Sequence, residues 1–447
     1  MSNTTTIYSA SWVVPIADGV IKEGAVAVAG SRIVGVGPEA IINQKFPQSQ
    51  RRRFDQAAIV PGLINTHTHL ELTAMRGYLE KEESDFFAWL RKLTLARLER
   101  MTADDIQVSA AFGACEAVRA GITSVADASD SALQSMTAIK EVGLRAIVFQ
   151  ESFGPDSRQA NENFAKLESK IAELRQTESE LVKVGVSPHA PYTVCGPQLE
   201  LISEFAQAHS LPLMMHAAES AAEDSLIRKG CGIFADGLAK RGIEWQAPAI
   251  SPIAYLKERR ILETRPLLAH CIRVDDNDIA ILSETGSKVA HCPKSNAKLG
   301  HGRAPLNRFL RAGISVGLGS DSVASNNTCD ILEESRYAAL IARDDAPIKA
   351  ADVLDLATRG GARCLNLEGV IGELKEGAQA DLAVISMSGT HQQPVYDPVV
   401  AAVFSSSGRD VILTVVSGEE IYRDGRVVTI DEERLAARML EIKSKLQ

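Results

Sequence analysis

One alternation constrains the fold of this chain more than any other feature. Eight apolar runs, separated by stretches of helical periodicity, fill its middle: 59–67, 122–129, 144–152, 182–191, 212–220, 266–274, 288–295 and 315–322. Runs that are apolar on both faces suit parallel strands covered by helices. The intervening segments 102–120, 161–177, 197–209 and 275–285 carry the matching helical pattern. Eight such strands close on themselves, so the expected class is α/β, a (β/α)8 TIM barrel. The 447 residues also leave room for a smaller unit. Short glycine-broken β-type runs occupy the chain before residue 59 and again after Gly369, where Asp424-Gly425 marks a turn. They predict a small β-sandwich-like domain assembled from both termini, ending in a charged helix from about residue 431. The expected organisation is 1–58 and 369–447 for that domain and 59–368 for the barrel. The segment 220–266 exceeds an ordinary crossover and is expected to build substrate-facing structure.

Chemistry in such a barrel sits where its strands end. The first run ends in His67-Thr68-His69, and residues two apart on a strand share a face, so both imidazoles can aim at one ion. The fourth ends in Pro188-His189-Ala190-Pro191, and the others give, on or near their ends, His216 with Glu219 just beyond (fifth), His270 (sixth), His291 (seventh) and Asp321 (eighth). Six of the nine histidines therefore occupy strand ends of one face. Imidazoles with a carboxylate suit zinc or iron(II) and leave one position open for water.

Other chemistries find no support. There is no HExxH, no GxxxxGK[ST] and no PCxxC deaminase signature. Gly313-Ile-Ser-Val-Gly317 matches GxSxG only formally, because Ser315 would open a strand rather than cap an elbow. The net charge of −9 argues against nucleic acid or an anionic membrane as partner. Seven scattered cysteines suggest reduced thiols. No apolar run reaches a spanning length, and residues 1–8 are polar, so a cytoplasmic protein is expected. The expected partner is a small heterocyclic substrate, with self-association left open.

Taken together, Pro61-Gly-Leu-Ile-Asn-Thr-His-Thr-His, Pro188-His-Ala-Pro-Tyr, His216-Ala-Ala-Glu, Leu268-Ala-His-Cys, Ala290-His-Cys-Pro-Lys-Ser-Asn and Gly317-Leu-Gly-Ser-Asp resemble the amidohydrolase superfamily. The likeness is to the branch of methylthioadenosine/S-adenosylhomocysteine deaminases and triazine chlorohydrolases. It implies one divalent ion, zinc or alternatively iron, held by His67, His69, His216 and Asp321. It also places Glu219 and His270 around the attacking water, with Glu219 protonating the ring nitrogen and Asp321 carrying a proton to departing ammonia. Relatives using two metals carry a lysine at the end of strand four, where this chain has His189; Lys183 falls too early.

For the substrate the resemblance divides. The methylthioadenosine enzymes place a ribose-binding glutamate about two turns after a Trp-Leu pair; after Trp89-Leu90 this chain has Leu98 there, with Glu99 one residue off. His69-Leu-Glu71, His216-x-x-Glu-Ser and the Lys229-Gly-x-Gly-x-Phe234 run are closer to aminodeoxyfutalosine deaminases of menaquinone biosynthesis. Glu71, Trp89, His189, His291, Ser295 and Asn296 are the expected substrate contacts. For Glu71 the alternative is an ion pair with an arginine such as Arg76.

Overall fold

Eight parallel strands form the centre of the protein, whose computed structural model describes residues 5–447 apart from the Asp344 side chain. Residues 1–4 of the polar start lie outside that range. The barrel strands are β1 (Leu63–Thr68), β2 (Ile122–Ser129), β3 (Arg145–Ser152), β4 (Val182–Pro188), β5 (Met214–Ala217), β6 (Leu267–His270), β7 (Lys288–His291) and β8 (Val316–Leu318). They pair in chain order as two four-stranded parallel sheets. A bridge between Val186 and Leu213 joins the sheets on one side. On the other, the Asp321 amide donates to the His67 carbonyl at 2.9 Å. β1, β2 and β3 are buried at every position, which explains their unbroken apolar character in sequence. The helices Ala103–Arg119, Ala160–Gln176, Gly196–Ala208 and Asp276–Thr285 fall within a residue or two of their expected positions. Thr102 and Asp275 open two of them with reciprocal capping boxes.

The termini meet in a second, eight-stranded sheet. Its spine is the strand Gln50–Pro61, parallel to Thr6–Val13 and antiparallel to Leu382–Ser386. Residues 59–61 therefore belong to this sheet, and the barrel begins at Leu63 rather than at residue 59. In sequence the two strands run together because only Gly62 separates them, and Gly62 reads like any apolar-run residue. It is required there for packing: a Cβ would stand 2.1 Å from Thr123 Oγ1. A buried pair from Arg145 of β3 to Asp381, at 2.9 and 3.2 Å, fastens barrel to terminal sheet. The last helix, Glu432–Leu446, lies against Ala103–Arg119, with Lys445 on the buried Asp105 at 2.7 Å.

The long segment after β5 folds as the helices Ala221–Lys229, Ile233–Lys240 and Pro252–Glu258. Phe234 meets Phe86 and Phe87 of the helix Phe86–Arg100, each at 6.3 Å between ring centroids. These two helices stand over the C-terminal ends of the strands. Among the described residues no helix is long and apolar enough to cross a membrane.

Candidate metal centre and substrate cavity

His67, His69, His216 and Asp321 each present a ligand atom, and these atoms all lie within 4.8 Å of one another. Asp321 Oδ1 is 3.6 Å from His67 Nε2 and 3.7 Å from His69 Nε2, while His69 and His216 approach to 3.3 Å through Nε2. All four are buried. His216 Nδ1 donates to the His189 carbonyl at 2.9 Å, which leaves Nε2 unprotonated and turned inward. His67 Nε2 is buried and finds no hydrogen-bond partner. Burial holds His67 down at about 4, and it lowers His69 and His216 too, so the imidazoles are neutral as coordination requires. Burial alone would raise Asp321, but the facing His67 and its neighbours hold this carboxyl well below the ordinary range. Three neutral nitrogens and one carboxylate oxygen, with an orphaned nitrogen among them, fit one divalent cation.

Gly319 makes this convergence possible. A Cβ there would sit 2.9 Å from both Cys292 Sγ and His67 Cβ, and 3.0 Å from the His67 amide. Gly319→Ala is therefore expected to displace His67 and lower bound metal about 10-fold or more at limiting concentration, measured by elemental analysis. Full metal content in the variant would contradict this.

Left-handed backbone occurs at or just past the ends of three strands: Ala218 (φ 51°), His270 (φ 73°) and Asp321 (φ 57°). Such conformations in non-glycine residues cost roughly 1–3 kcal/mol each and collect at functional sites. Here they aim the polar side chains of three strand ends at one point. Glu219 is buried; its Oε2 accepts from Tyr192 Oη at 3.2 Å. Its Oε1 lies 3.7 Å from His270 Nε2 and 3.6 Å from His301 Nε2. Burial raises the Glu219 carboxyl above its usual range. His270 Nδ1 donates to Asn296 Oδ1 at 2.8 Å, so its Nε2 lone pair faces the site, buried and unpartnered. Ser295 and Ser325 donate to Asp321 Oδ2 at 2.6 and 2.8 Å.

A cavity of about 550 Å³ opens from this centre. His69, His216, Glu219 and Asp321 stand at its base, with Glu71, Trp89 and His189 on its walls. His291, Ser295 and Asn296 do not line it: Asn296 holds His270, Ser295 holds Asp321, and His291 is buried. Glu71 is engaged by Ser129 Oγ at 2.5 Å and the Ser131 amide at 3.1 Å, with Arg97 at 3.5 Å. Arg76 turns away to Glu116. Leu98, at the position of the expected glutamate, is 64% exposed. A different carboxylate reaches the cavity: Glu151, at the end of β3, is buried beside His189 and His216 and its Oε1 has no partner. Sequence reasoning missed Glu151, Tyr192, Arg97 and His301. Two of them carried a usable signal: Glu151, as an acidic residue near the end of a buried strand, and Tyr192, as the last residue of the Pro188-His-Ala-Pro-Tyr segment.

A (β/α)8 barrel with a three-histidine, one-aspartate centre at its C-terminal mouth defines a metal-site hydrolase scaffold. Residues 58–421 match the amidohydrolase family, and the chain belongs to it. It is 32% identical over 425 residues to the 5-methylthioadenosine/S-adenosylhomocysteine deaminase of Pelotomaculum thermopropionicum, covering 94% of this chain and 93% of that one. Among solved structures it resembles a zinc-bound adenosine deaminase from Xanthomonas campestris, with TM-score 0.86, 27% identity and coverage of 99% and 98%. The fold is also that of the Helicobacter pylori aminofutalosine deaminase in complex with methylthio-coformycin, at TM-score 0.80, 23% identity and coverage of 93% and 100%. The protein is a hydrolase acting on carbon–nitrogen bonds.

Proposed function

We propose that the protein hydrolytically deaminates a 6-aminopurine nucleoside bearing a bulky 5′ substituent, releasing ammonia. The observation that carries this reading is the pairing of the four-ligand centre with Glu219 at the base of one long cavity. The cavity suits a ligand of drug-like size rather than a bare ring, and the deaminase-named relatives favour the same chemistry. This favours a nucleoside over triazine or guanine substrates. The motifs around Glu71 and Phe234 favour aminodeoxyfutalosine, and with it a role in menaquinone biosynthesis, over methylthioadenosine or S-adenosylhomocysteine. The free cysteines are compatible with a cytoplasmic setting.

His67, His69, His216 and Asp321 would hold the ion, with zinc preferred and iron(II) the alternative. When bound, such an ion polarises water and makes it a nucleophile at neutral pH. The chain's own groups do the rest. His270 Nε2 orients the attacking water toward the amino-bearing ring carbon. Glu219, steadied by Tyr192 and with its carboxyl raised by burial, delivers a proton to the adjacent ring nitrogen. Asp321 takes one water proton and passes it to the departing amine; as the C–N bond breaks, the remaining hydroxyl proton returns to Glu219, so water and aminopurine become the 6-oxo ring and ammonia. The unfilled Glu151 Oε1 would take a hydrogen bond from the sugar. His189, whose Nδ1 pairs with Thr193 Oγ1 at 2.8 Å, keeps Nε2 available for the ring.

Two measurements test this. Ammonia release is expected from 6-aminopurine nucleosides with large 5′ groups, and activity confined to triazines or free bases would remove the reading. Chelation is expected to abolish turnover and lower Tm, because the ion binds only the folded chain. Added zinc or iron(II) should restore both.

A further inference from the structure

We infer that Glu223 is a positioning residue for Glu219: by holding the two amides that lead into Glu219, it fixes where the proton-donating carboxyl stands. This rests on Glu219 being the proton donor proposed above and adds the group that aims it.

Ser220-Ala-Ala-Glu223 has the spacing of a capping box, in which the glutamate reaches back to the amide of the capping serine. The serine plays its part. It caps the helix Ala221–Lys229, and its Oγ accepts from the Glu223 amide at 3.2 Å. The glutamate reaches further back instead: its Oε1 accepts from the Ala218 amide and its Oε2 from the Glu219 amide, both at 2.8 Å. Glu223 is fully buried. The charged side chains that bear on it most, Glu219 and Asp224, are themselves acidic. Burial pushes its carboxyl up to about 8, against the pull of the two amides. A helix already capped by serine does not need an acid in so unfavourable a place. What this acid holds is the turn before the helix.

That turn is pinned from both sides. Ala218 is left-handed, at φ 51°, a conformation that persists only where its surroundings enforce it. Its carbonyl accepts from the Ile272 and Arg273 amides at 2.9 and 2.8 Å, and the Ala217 carbonyl accepts from the Cys271 amide at 3.1 Å. Those three donors belong to the loop that follows β6 and its His270. The peptide joining Ala218 to Glu219 is therefore held at its N–H by Glu223 and at its carbonyl by the His270 loop. Glu219 Oε1 and His270 Nε2 stand 3.7 Å apart, and the clamp sets that separation. Misplacing a reacting group by about 1 Å can cost about 10²-fold in rate.

Glu223→Gln keeps the volume but leaves one of the two amides without an acceptor. On 5′-methylthioadenosine its kcat is expected to fall about 10- to 100-fold, with KM changed less than about threefold and metal content unchanged. Glu223→Asp, which keeps two acceptor oxygens on a shorter stem, should lose less. The discriminating readout is the Glu219→Gln background. With no acid left to aim, adding Glu223→Gln should lower kcat by less than about twofold more, whereas a merely structural role would multiply the two losses. The same cycle run with Glu223→Asp covers the case in which the glutamine variant does not fold. Native kcat in Glu223→Gln, loss of its metal, a defect confined to KM, or multiplied losses in the double variant would each overturn the inference. If the native enzyme deaminates no nucleoside, the nucleoside reading fails, and the same variants are compared on guanine and melamine, whose ring nitrogens need the same acid. If none of these compounds releases ammonia, the role of Glu219 and this inference fail together.

Discussion

Asp321→Asn is expected to reduce kcat by at least about 10³-fold while leaving the fold intact. In the proposed mechanism the side chain has two tasks that an amide cannot perform. Its Oδ1 faces His67 and His69 as an anionic ligand. Its carboxylate must also accept a proton from water and release it to the amine. The isosteric amide keeps the volume, and Ser295 and Ser325 can still donate to its oxygen, so the barrel closure should survive. Circular dichroism and Tm should change little in metal-free protein, whereas turnover should vanish. Retention of more than about a tenth of kcat would remove the proton-carrying role. A variant with full metal content but no turnover would separate that role from coordination.

The second large effect is expected at Glu219. Glu219→Gln should lower kcat by about 10²- to 10⁴-fold with metal content unchanged, because Glu219 stands outside the ligand group. The pH dependence distinguishes its role from mere packing. Burial raises this carboxyl, so the protonated acid persists to higher pH than for an exposed glutamate. A reaction that needs the protonated form is favoured at lower pH and declines as pH rises through the raised value. The native enzyme should show this alkaline decline in kcat/KM, and the residual activity of Glu219→Gln should lack it. An unchanged profile in the variant would assign the decline to another group.

Much of the metal centre was legible because its geometry follows from short-range rules. His67 and His69 share a face through the two-residue period of β1, and His216, His270 and Asp321 each fall in an apolar run at or near the end of a buried strand. Given a closed barrel, residues at the ends of its strands must approach one another. The start of the barrel was misplaced by a few residues because Gln50–Pro61 and β1 are both apolar and only Gly62 divides them. Glu71 shows a different limit. Its carboxylate was expected either in the cavity or on Arg76, yet it is shared among Ser129, Ser131 and Arg97, the last contributed by a separate helix.

From the sequence alone came the strand–helix alternation and the two-ended β-domain, since each depends on periodicity along the chain, whereas the proposed ligand set followed from the family resemblance. Tertiary structure alone decided what faces the substrate beyond the metal. Glu151 finds itself beside His189 and His216, Asn296 directs His270, and Phe87 meets Gly237 across two helices far apart in the chain. Those contacts depend on how packed elements are oriented about one another. Helical and strand periods show which face turns inward, but not which distant side chain it meets there.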